Sequence, residues 1–528
     1  MTQPAPSTAP SANRQIARSA GTVMIAMVFS QLVGLLAKTL TARAFGTGME
    51  SDAFFAANRF SEIIFNLVAG GALGSAFIPT FTGMLAREER KGAWQLASSI
   101  ANLLLLILTT IALLSAVFAP WIVRHILAPG FDPDKAALTA QLLRIQLPSA
   151  VIFGLSGLLM GILNAHQYFL LPALAPALYQ IGWVFGALVL APRYGVQGMS
   201  WSIVVGASLH LLVQIPALFR LPQRRYQFML GLRLPTVREV GRLMAPRLLG
   251  VAVVQLNFLL NTYLASLQPQ GSYTGISLAF PIMIMPEAAI AQSIAIAALP
   301  TFSAQVARGR KDHMRTSLAA SLRGALLLSI PASVGLVLLR QPVVALLYQR
   351  GEFGPESTMI VAWALLWYAA GMVGHSVVEI VSRAFYALRD TKTPVIVGII
   401  TMGLNLVFSL TFTRLFVRIG WMPHGGLALA NSLATFLEMI GMLILMRRRL
   451  AGLDGWHIWQ SVIQAGLGAA VMGAALWGWL TVSAGRSPLV VVVGGLTGGA
   501  LIYALLLVLQ RTPEVEELWD AVRRRVFK

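Results

Sequence analysis

The sequence predicts an all-α polytopic membrane protein built from an internal repeat. Of its 528 residues, 57% are hydrophobic and only 11% are charged, whereas soluble domains carry roughly 25% charged residues. Apolar stretches of about 20 residues, long enough to cross the hydrocarbon core, recur along the whole chain without the period-two alternation of a transmembrane barrel. Sequence landmarks of the first half also recur about 221 residues later. Together these observations predict two related lobes of membrane-spanning helices.

Fourteen apolar stretches qualify as predicted spans. In chain order they are spans 1 to 14, at 16–45, 51–84, 93–118, 138–166, 170–190, 196–220, 237–266, 274–306, 313–339, 357–387, 394–416, 424–447, 457–480 and 487–510. The predicted organisation is a disordered cytoplasmic N-terminus at 1–15, an N-lobe at 16–220, a basic cytoplasmic linker at 221–236, a C-lobe at 237–447, two extra helices within 448–510, and a cytoplasmic amphipathic tail at 511–528.

The repeat relates the two predicted lobes of six helices each. Pro79-Thr80-Phe81-Thr82 recurs as Pro300-Thr301-Phe302-Ser303, and Gly130-Phe131 recurs as Gly351-Glu352-Phe353. Because six is an even number of crossings, both lobes enter the membrane from the same side, which predicts a parallel repeat of the kind found in transporters. Spans 13 and 14 lie outside the repeat.

The charge pattern predicts orientation and excludes other classes. The net charge is +20, but the basic residues lie in short alternate loops, which by the positive-inside rule places both termini in the cytoplasm and argues against nucleic-acid binding. The chain has no cysteine, which excludes disulfides, thiolate metal sites and cysteine nucleophiles. It also has no HExxH or DxD-type motif, so a membrane-embedded enzyme is disfavoured.

Polar and charged residues inside predicted spans are the candidate functional residues, because ionisable groups are expensive in the membrane and usually face a cavity. They are Gln31 and Lys38 in span 1, Asp52, Arg59 and Glu62 in span 2, Glu287 in span 8, and Glu379 and Arg383 in span 10. Cations in a cavity suit a phosphate or diphosphate. Asp52 could instead cap its helix, and Glu379 with Arg383 could be either a structural pair or a coupling pair.

Two segments resemble the MurJ (MviN) lipid II flippases. Residues 42–55, ARAFGTGMESDAFF, are similar to the family signature after the first helix, and residues 385–395, FYALRDTKTPV, are especially specific. Ala128-Pro129-Gly130-Phe131 and Leu299-Pro300 also match. The resemblance runs from about residue 16 to 447, and the chain is identified as a member of this family.

The resemblance implies a fourteen-helix flippase related to the MATE and polysaccharide exporters. It would move lipid II, an undecaprenyl-diphosphate-linked disaccharide-pentapeptide, to the outer leaflet of the bacterial plasma membrane by alternating access. It would need no cofactor or metal and would not be an enzyme. Expected partners are lipid II and anionic membrane lipids, with no nucleic acid; the protein would be a monomer beside cell-wall synthesis proteins. A cytoplasmic loop would carry the gating residues Arg389, Asp390 and Lys392.

The chain departs from the family at the positions of the cavity arginines, which fall here on Gln31, Ala37, Phe65 and Pro281. Lys38 lies next to one of these positions, and Arg59 matches another basic position of the family. We therefore expect Lys38 and Arg59 to hold the diphosphate, with Glu62 and Glu287 setting the local charge. The alternatives are a flippase for another polyprenyl-linked glycan, an exporter of amphipathic cations, and a scaffold without transport.

The sodium-site pattern of some family members is incomplete in this chain. Those members carry an Asn followed four residues later by Asp on the eleventh helix, whereas this chain has Asn405 and Ser409. The missing carboxylate weakens the prediction of a sodium site in this chain.

Overall fold

The computed structural model describes residues 12–68, 72–222, 224–510 and 512. Every regular element in this part of the chain is helical, which confirms the predicted all-α class. Helix α1 begins at Ala12, so residues 12–15 belong to a helix and not to the disordered N-terminus predicted for 1–15. The rest of that segment, and the tail predicted for 511–528 apart from Thr512, lie outside the described residues.

The chain divides into two compact units. Unit 1 comprises Met1–Phe45 and Met49–Tyr263, and unit 2 comprises Gly46–Gly48 and Leu264–Lys528. The predicted linker at 221–236 precedes this division by one helix, so the helix at Pro235–Ser266 is grouped mainly with unit 1.

Unit 1 is organised around one long helix, α6, which packs against α2, α3, α4 and α8, while α7 packs against α1 and α8. Close approach of α7 and α8 requires glycine, because a Cβ on Gly182 would collide with the backbone of Gly206. The helices are α1 (Ala12–Phe45), α2 (Met49–Val68), α3 (Ala72–Ala86), α4 (Arg90–Val117), α5 (Ala119–Ile122), α6 (Pro133–Ala165), α7 (Leu170–Phe185), α8 (Ala191–Leu212), α9 (Ile215–Arg220) and α10 (Pro235–Ser266).

Unit 2 is organised around α14, which packs against α11, α13 and α16, while α17 and α18 pack together on α13. Its core includes the fully buried Phe302, Phe385 and Met442. The helices are α11 (Ser272–Glu287), α12 (Ser293–Ala307), α13 (Lys311–Tyr348), α14 (Pro355–Ala387), α15 (Lys392–Arg418), α16 (His424–Arg449), α17 (Gly455–Val482) and α18 (Pro488–Leu509).

Helix lengths repeat between the two units as the sequence landmarks predict. Helices α3 and α12 each have 15 residues and contain the matched prolines Pro79 and Pro300. Helices α6 and α14 each have 33 residues. A π-helical turn, Ala288–Gln292, follows Pro281 and Pro286 and joins α11 to α12. Glu287 therefore stands at a helix irregularity, where its side chain is positioned by a non-standard turn.

The fourteen predicted crossings compare with a smaller number of helices that meet a length and hydropathy criterion within the described residues. Within the described residues, ten helices are long and apolar enough to span a membrane, or eleven if the bent pair Pro235–Leu248 and Gly250–Ser266 is one span. Leu170–Arg220 is counted as one continuous run of 51 residues, although it covers predicted spans 5 and 6. Each of the fourteen predicted ranges contains helix, and the count of fourteen stays a prediction.

Candidate functional site

A charged cluster in unit 1 joins three of the predicted site residues. The Arg59 Nη1 atom donates to Glu62 Oε2 at 2.8 Å, and Asn58 Nδ2 donates to Glu62 Oε1 at 2.8 Å. These contacts follow from spacings of three and four residues on α2, which place the side chains on one helix face. Lys38 on α1 is close enough to be attracted by Glu62 and repelled by Arg59. We call Lys38, Asn58, Arg59 and Glu62 the basic cluster.

The basic cluster carries two cations and one carboxylate. The Arg59 guanidinium also lies over the Phe258 ring of α10, with Cζ 4.7 Å from the ring centroid, which is a cation–π contact. A guanidinium offers N–H groups in the fork geometry that suits phosphate oxygens. With a net charge of +1, the arrangement favours an anionic group.

A cavity of about 520 Å³ borders the basic cluster within unit 1. Asn58 and Glu62 are among its lining residues, together with Ser61, Asn66, Asn164 and Tyr179. The Oδ1 atom of Asn58 and the hydroxyl of Ser61 are buried without a hydrogen-bond partner. Buried polar groups of this kind are normally satisfied by protein, water or ligand. The cavity therefore offers polar groups beside the cluster's carboxylate.

The positions that carry cavity arginines in the family are filled differently here. Ala37 is fully buried, so no cation could be placed there without repacking. Phe65 lines the cavity beside Glu62, and its ring packs on Phe153 with centroids 4.9 Å apart. Pro281 lies inside α11, and Gln31 is exposed on α1. In unit 1, Lys38 and Arg59 are the cations of the basic cluster.

Asp52 lies apart from the basic cluster in a buried ion pair. Its Oδ2 atom accepts a hydrogen bond from Lys135 Nζ at 2.6 Å, and the two side chains are 2% and 6% exposed. Lys135 Nζ also lies 4.3 Å from the centroid of the Phe131 ring. Lys135 is buried in the first turn of α6. The pair joins α2 to α6.

In unit 2, the carboxylates predicted to act in the site lie on α11 and α14. Glu287 is 4% exposed and accepts a weak hydrogen bond from Gln292 Nε2 at 3.3 Å. On α14, Arg383 Nη2 donates to Glu379 Oε1 at 2.8 Å, and Glu287 and Glu379 repel each other. One turn away, His375 Nε2 lies 3.2 Å from Asn431 Oδ1. Unit 2 thus gathers Glu287, Glu379 and Arg383 into one polar region.

The predicted gating loop between α14 and α15 is organised by Asp390. Its carboxylate accepts hydrogen bonds from Thr393 Oγ1 at 2.7 Å and Thr393 N at 3.0 Å, and from Arg449 Nη2 at 2.8 Å. The Thr393 hydrogen bonds, aided by the charge of Arg449, hold the pKa of Asp390 below its usual value. Arg389 has a left-handed backbone, with φ of 60°, and both Arg389 and Lys392 are exposed. The loop therefore presents two cations around a fixed carboxylate.

The incomplete sodium pattern is satisfied internally. Ser409 Oγ donates to Asn405 Oδ1 at 3.1 Å on α15, and both residues are buried. Among the described residues, no three His, Cys, Asp or Glu side chains come together as a metal site would require.

Sequence reasoning missed two neighbours of the predicted site residues for different reasons. Asn58 precedes Glu62 by four residues on one helix face, so helical periodicity alone could have paired them. Lys135 lies 83 residues from Asp52, and no local pattern predicts that contact. The lining residues Tyr179 and Asn164 were likewise brought to the cavity by packing of α6 and α7 on the neighbouring helices.

Comparisons with known proteins agree with this architecture. The profile of the family described as Lipid II flippase MurJ matches residues 41–492. The chain is 30% identical over 465 residues to the lipid II flippase MurJ of Burkholderia cenocepacia, covering 86% of this chain and 88% of that protein. It is 26% identical over 538 residues to the probable lipid II flippase MurJ of Synechocystis, covering 97% of this chain and 98% of that protein.

Solved structures show the same fold. A lipid II flippase MurJ in an inward closed conformation matches with a TM-score of 0.79 at 22% identity, covering 96% of this chain and 99% of that one. An inward-facing multidrug resistance MATE family transporter matches with a TM-score of 0.66 at 17% identity, covering 82% of this chain and 99% of that one. With the family profile matched over most of its length and a relative at 30% identity, this polytopic membrane protein belongs to the MurJ family of lipid II flippases.

Proposed function

We propose that this protein is a flippase that moves lipid II from the cytoplasmic to the outer leaflet of the bacterial inner membrane during cell-wall biosynthesis. The family assignment supports this activity. The observation that carries the site assignment is the basic cluster, where Lys38 and Arg59 surround a single carboxylate, Glu62. Two cations against one anion leave a net positive charge for the diphosphate of the cargo.

In this mechanism the Arg59 guanidinium, which contacts Glu62 and lies over the Phe258 ring, presents N–H donors along its edge to a phosphate oxygen. Lys38 adds a mobile ammonium to the same group. Glu62 competes with the diphosphate for both cations, which keeps binding weak enough for release on the other side. The protein itself breaks and forms no covalent bond, works as a monomer by alternating access, and keeps both termini in the cytoplasm.

A second cargo is favoured by the replaced arginine positions. The buried Ala37 and the Phe65–Phe153 contact leave less positive charge in this region than the family pattern provides. A flippase for another polyprenyl-diphosphate glycan would retain the diphosphate contact and differ in the sugar contacts.

The test is rescue of a bacterium depleted of its own lipid II flippase, with growth and outer-leaflet lipid II both scored. Wild-type protein should restore both. Lys38→Ala combined with Arg59→Ala should restore neither while reaching the membrane at wild-type abundance, whereas Arg193→Ala, an exposed arginine on α8, should behave as wild type. Full activity in the double variant would contradict the site assignment. A folded wild-type protein that brings a different polyprenyl-diphosphate glycan, and no lipid II, to the outer leaflet would favour the second cargo.

A further inference from the structure

A second cavity in unit 1, of about 410 Å³, lies away from the basic cluster. Its walls come from α4, α6, α8 and α9 and are mainly apolar, with Trp94, Leu158 and Leu211 among them. It shares no lining residue with the cavity beside Glu62. One side is formed by Arg224 and Arg225, together with Tyr226, from the connection between α9 and α10. An apolar space with two arginines on one side is suited to an amphiphile.

The connecting segment 224–232, which we call the strap, is fixed against α4 although it contains no helix. Asn102 Nδ2 donates to the backbone carbonyl oxygens of Gln227 and Met229 at 3.1 and 2.9 Å. The backbone N–H of Gln227 donates to Ser98 Oγ at 3.1 Å. The Tyr226 hydroxyl donates to Asn102 Oδ1. These bonds make the strap a built wall of the cavity and hold its two arginines in place.

The end of the strap is also shaped for this position. Gly231 has φ of 60°, a conformation that side chains rarely adopt, and a Cβ there would collide with Ser99 of α4. Glycine thus permits the strap to lie directly on the helix before α10 begins.

The strap presents aromatic and basic side chains outward. Phe228 is 90% exposed and Tyr226 is 67% exposed, and aromatic residues of this kind concentrate at the membrane–water interface. Arg224 and Arg225 are exposed as well, and the Arg224 guanidinium lies over the Phe219 ring, with Cζ 4.8 Å from its centroid. The cavity therefore combines apolar walls with two arginines that lie beside exposed aromatic residues.

We propose that this cavity binds one anionic phospholipid, with an acyl chain against the apolar walls and the phosphate on Arg224 and Arg225. Basic pockets between membrane helices recognise anionic headgroups in this way, and arginine suits phosphate because of its planar fork of donors. The occupant is a structural membrane lipid, distinct from the transported cargo, since the cavity lies apart from the basic cluster. By bridging the strap to α4, α6 and α8, the lipid stabilises the connection into α10.

The chain contains no cysteine, so Ala101→Cys places a single thiol on the cavity wall. The measurement is the rate at which a maleimide modifies this thiol in phosphatidylcholine nanodiscs containing increasing phosphatidylglycerol of the same chain length. Phosphatidylglycerol should slow modification at a saturating mole fraction. Arg224→Gln with Arg225→Gln should raise the half-saturating mole fraction of phosphatidylglycerol roughly 30-fold, because each arginine near a headgroup contributes about 1 kcal/mol to binding.

The matched control is Arg233→Gln, which removes an exposed arginine from the same connection but outside the cavity lining; it should leave protection unchanged. If the double variant unfolds, Arg225→Gln alone should weaken protection about fivefold. Equal protection in pure phosphatidylcholine, or unchanged protection in folded arginine variants, would overturn the proposal. Stronger protection by undecaprenyl phosphate than by phosphatidylglycerol would instead assign the cavity to the cargo, and protection by soluble glycerol phosphate would remove the requirement for an acyl chain.

Discussion

Removing one partner of the Asp52–Lys135 pair should strongly destabilise the protein. The two side chains are 2% and 6% exposed and their charged atoms lie 2.6 Å apart. Asp52→Asn keeps the shape but removes the negative charge that pairs with the buried Lys135 ammonium. Breaking a buried pair in this way costs about 3–5 kcal/mol, whereas replacing both partners with apolar residues is close to neutral. Asp52→Leu with Lys135→Met should therefore lie within about 1 kcal/mol of wild type.

The assay is equilibrium unfolding in mixed micelles, followed by circular dichroism, for Asp52→Asn and for the double variant Asp52→Leu with Lys135→Met. The exposed pair Asp312–Arg315, at 3.5 Å, provides a matched control, because Asp312→Asn should change stability by about 1 kcal/mol or less. Asp52→Asn within about 1 kcal/mol of wild type would refute the argument from burial. The double variant also tests function: retained lipid II export would establish that Asp52 is structural, and loss of export in a stably folded double variant would return Asp52 to the substrate site.

Two further predictions concern the loop at Asp390 and the helix contact at Gly371. Hydrogen bonds from Thr393 lower the folded-state pKa of Asp390 below its ordinary pKa of 3.8. The ionised Asp390 carboxylate therefore stabilises the fold fully above pH 3.8, and this stabilisation is lost as the pH falls through the folded-state pKa. Asp390→Asn should therefore lower stability by about 1 kcal/mol at pH 7, with the difference from wild type shrinking below pH 4 in melting curves; a constant difference would contradict this. Gly371→Ala should destabilise the fold because the new Cβ meets Ser432 side-chain and backbone atoms of α16. Gly324→Ala, which meets nothing within 4 Å on α13, should be neutral or stabilising by up to about 1 kcal/mol, and equal effects of the two substitutions would count against the packing argument.

The fold class could be predicted because its signals are local and repeated. Long apolar runs and proline landmarks such as Pro79 and Pro300 fix helices and their repeat without any knowledge of distant contacts. The number of crossings stays a prediction: the run Leu170–Arg220 continues through a π-helical turn at Gly186–Leu190, whereas Gly195 within it leaves helical geometry, with φ of 57°. Hydropathy detects apolar length, but it does not locate where a continuous helical run bends.

The candidate site could be predicted only in part. Arg59 and Glu62 are neighbours on one helix, so their contact follows from periodicity. Asp52 was grouped with them because it shares α2, yet its carboxylate is engaged by Lys135 from α6. The strap contacts also depend on tertiary packing, because the Asn102–Gln227 contact joins residues 125 positions apart. Which buried charge meets which partner is decided by helix packing, and a single sequence carries no local signal for it.

The measurement that tests the central claim most directly is lipid II flipping by purified protein in proteoliposomes. The fraction of lipid II exposed on the far leaflet would be followed with time for wild type, for Lys38→Ala with Arg59→Ala, and for Arg193→Ala. Hydrogen bonds to charged groups contribute about 1.5–3 kcal/mol each, so loss of both cations should slow flipping roughly 100-fold or more, while Arg193→Ala should match wild type. Flipping at the wild-type rate by a folded double variant would contradict the assignment of the basic cluster as the diphosphate site.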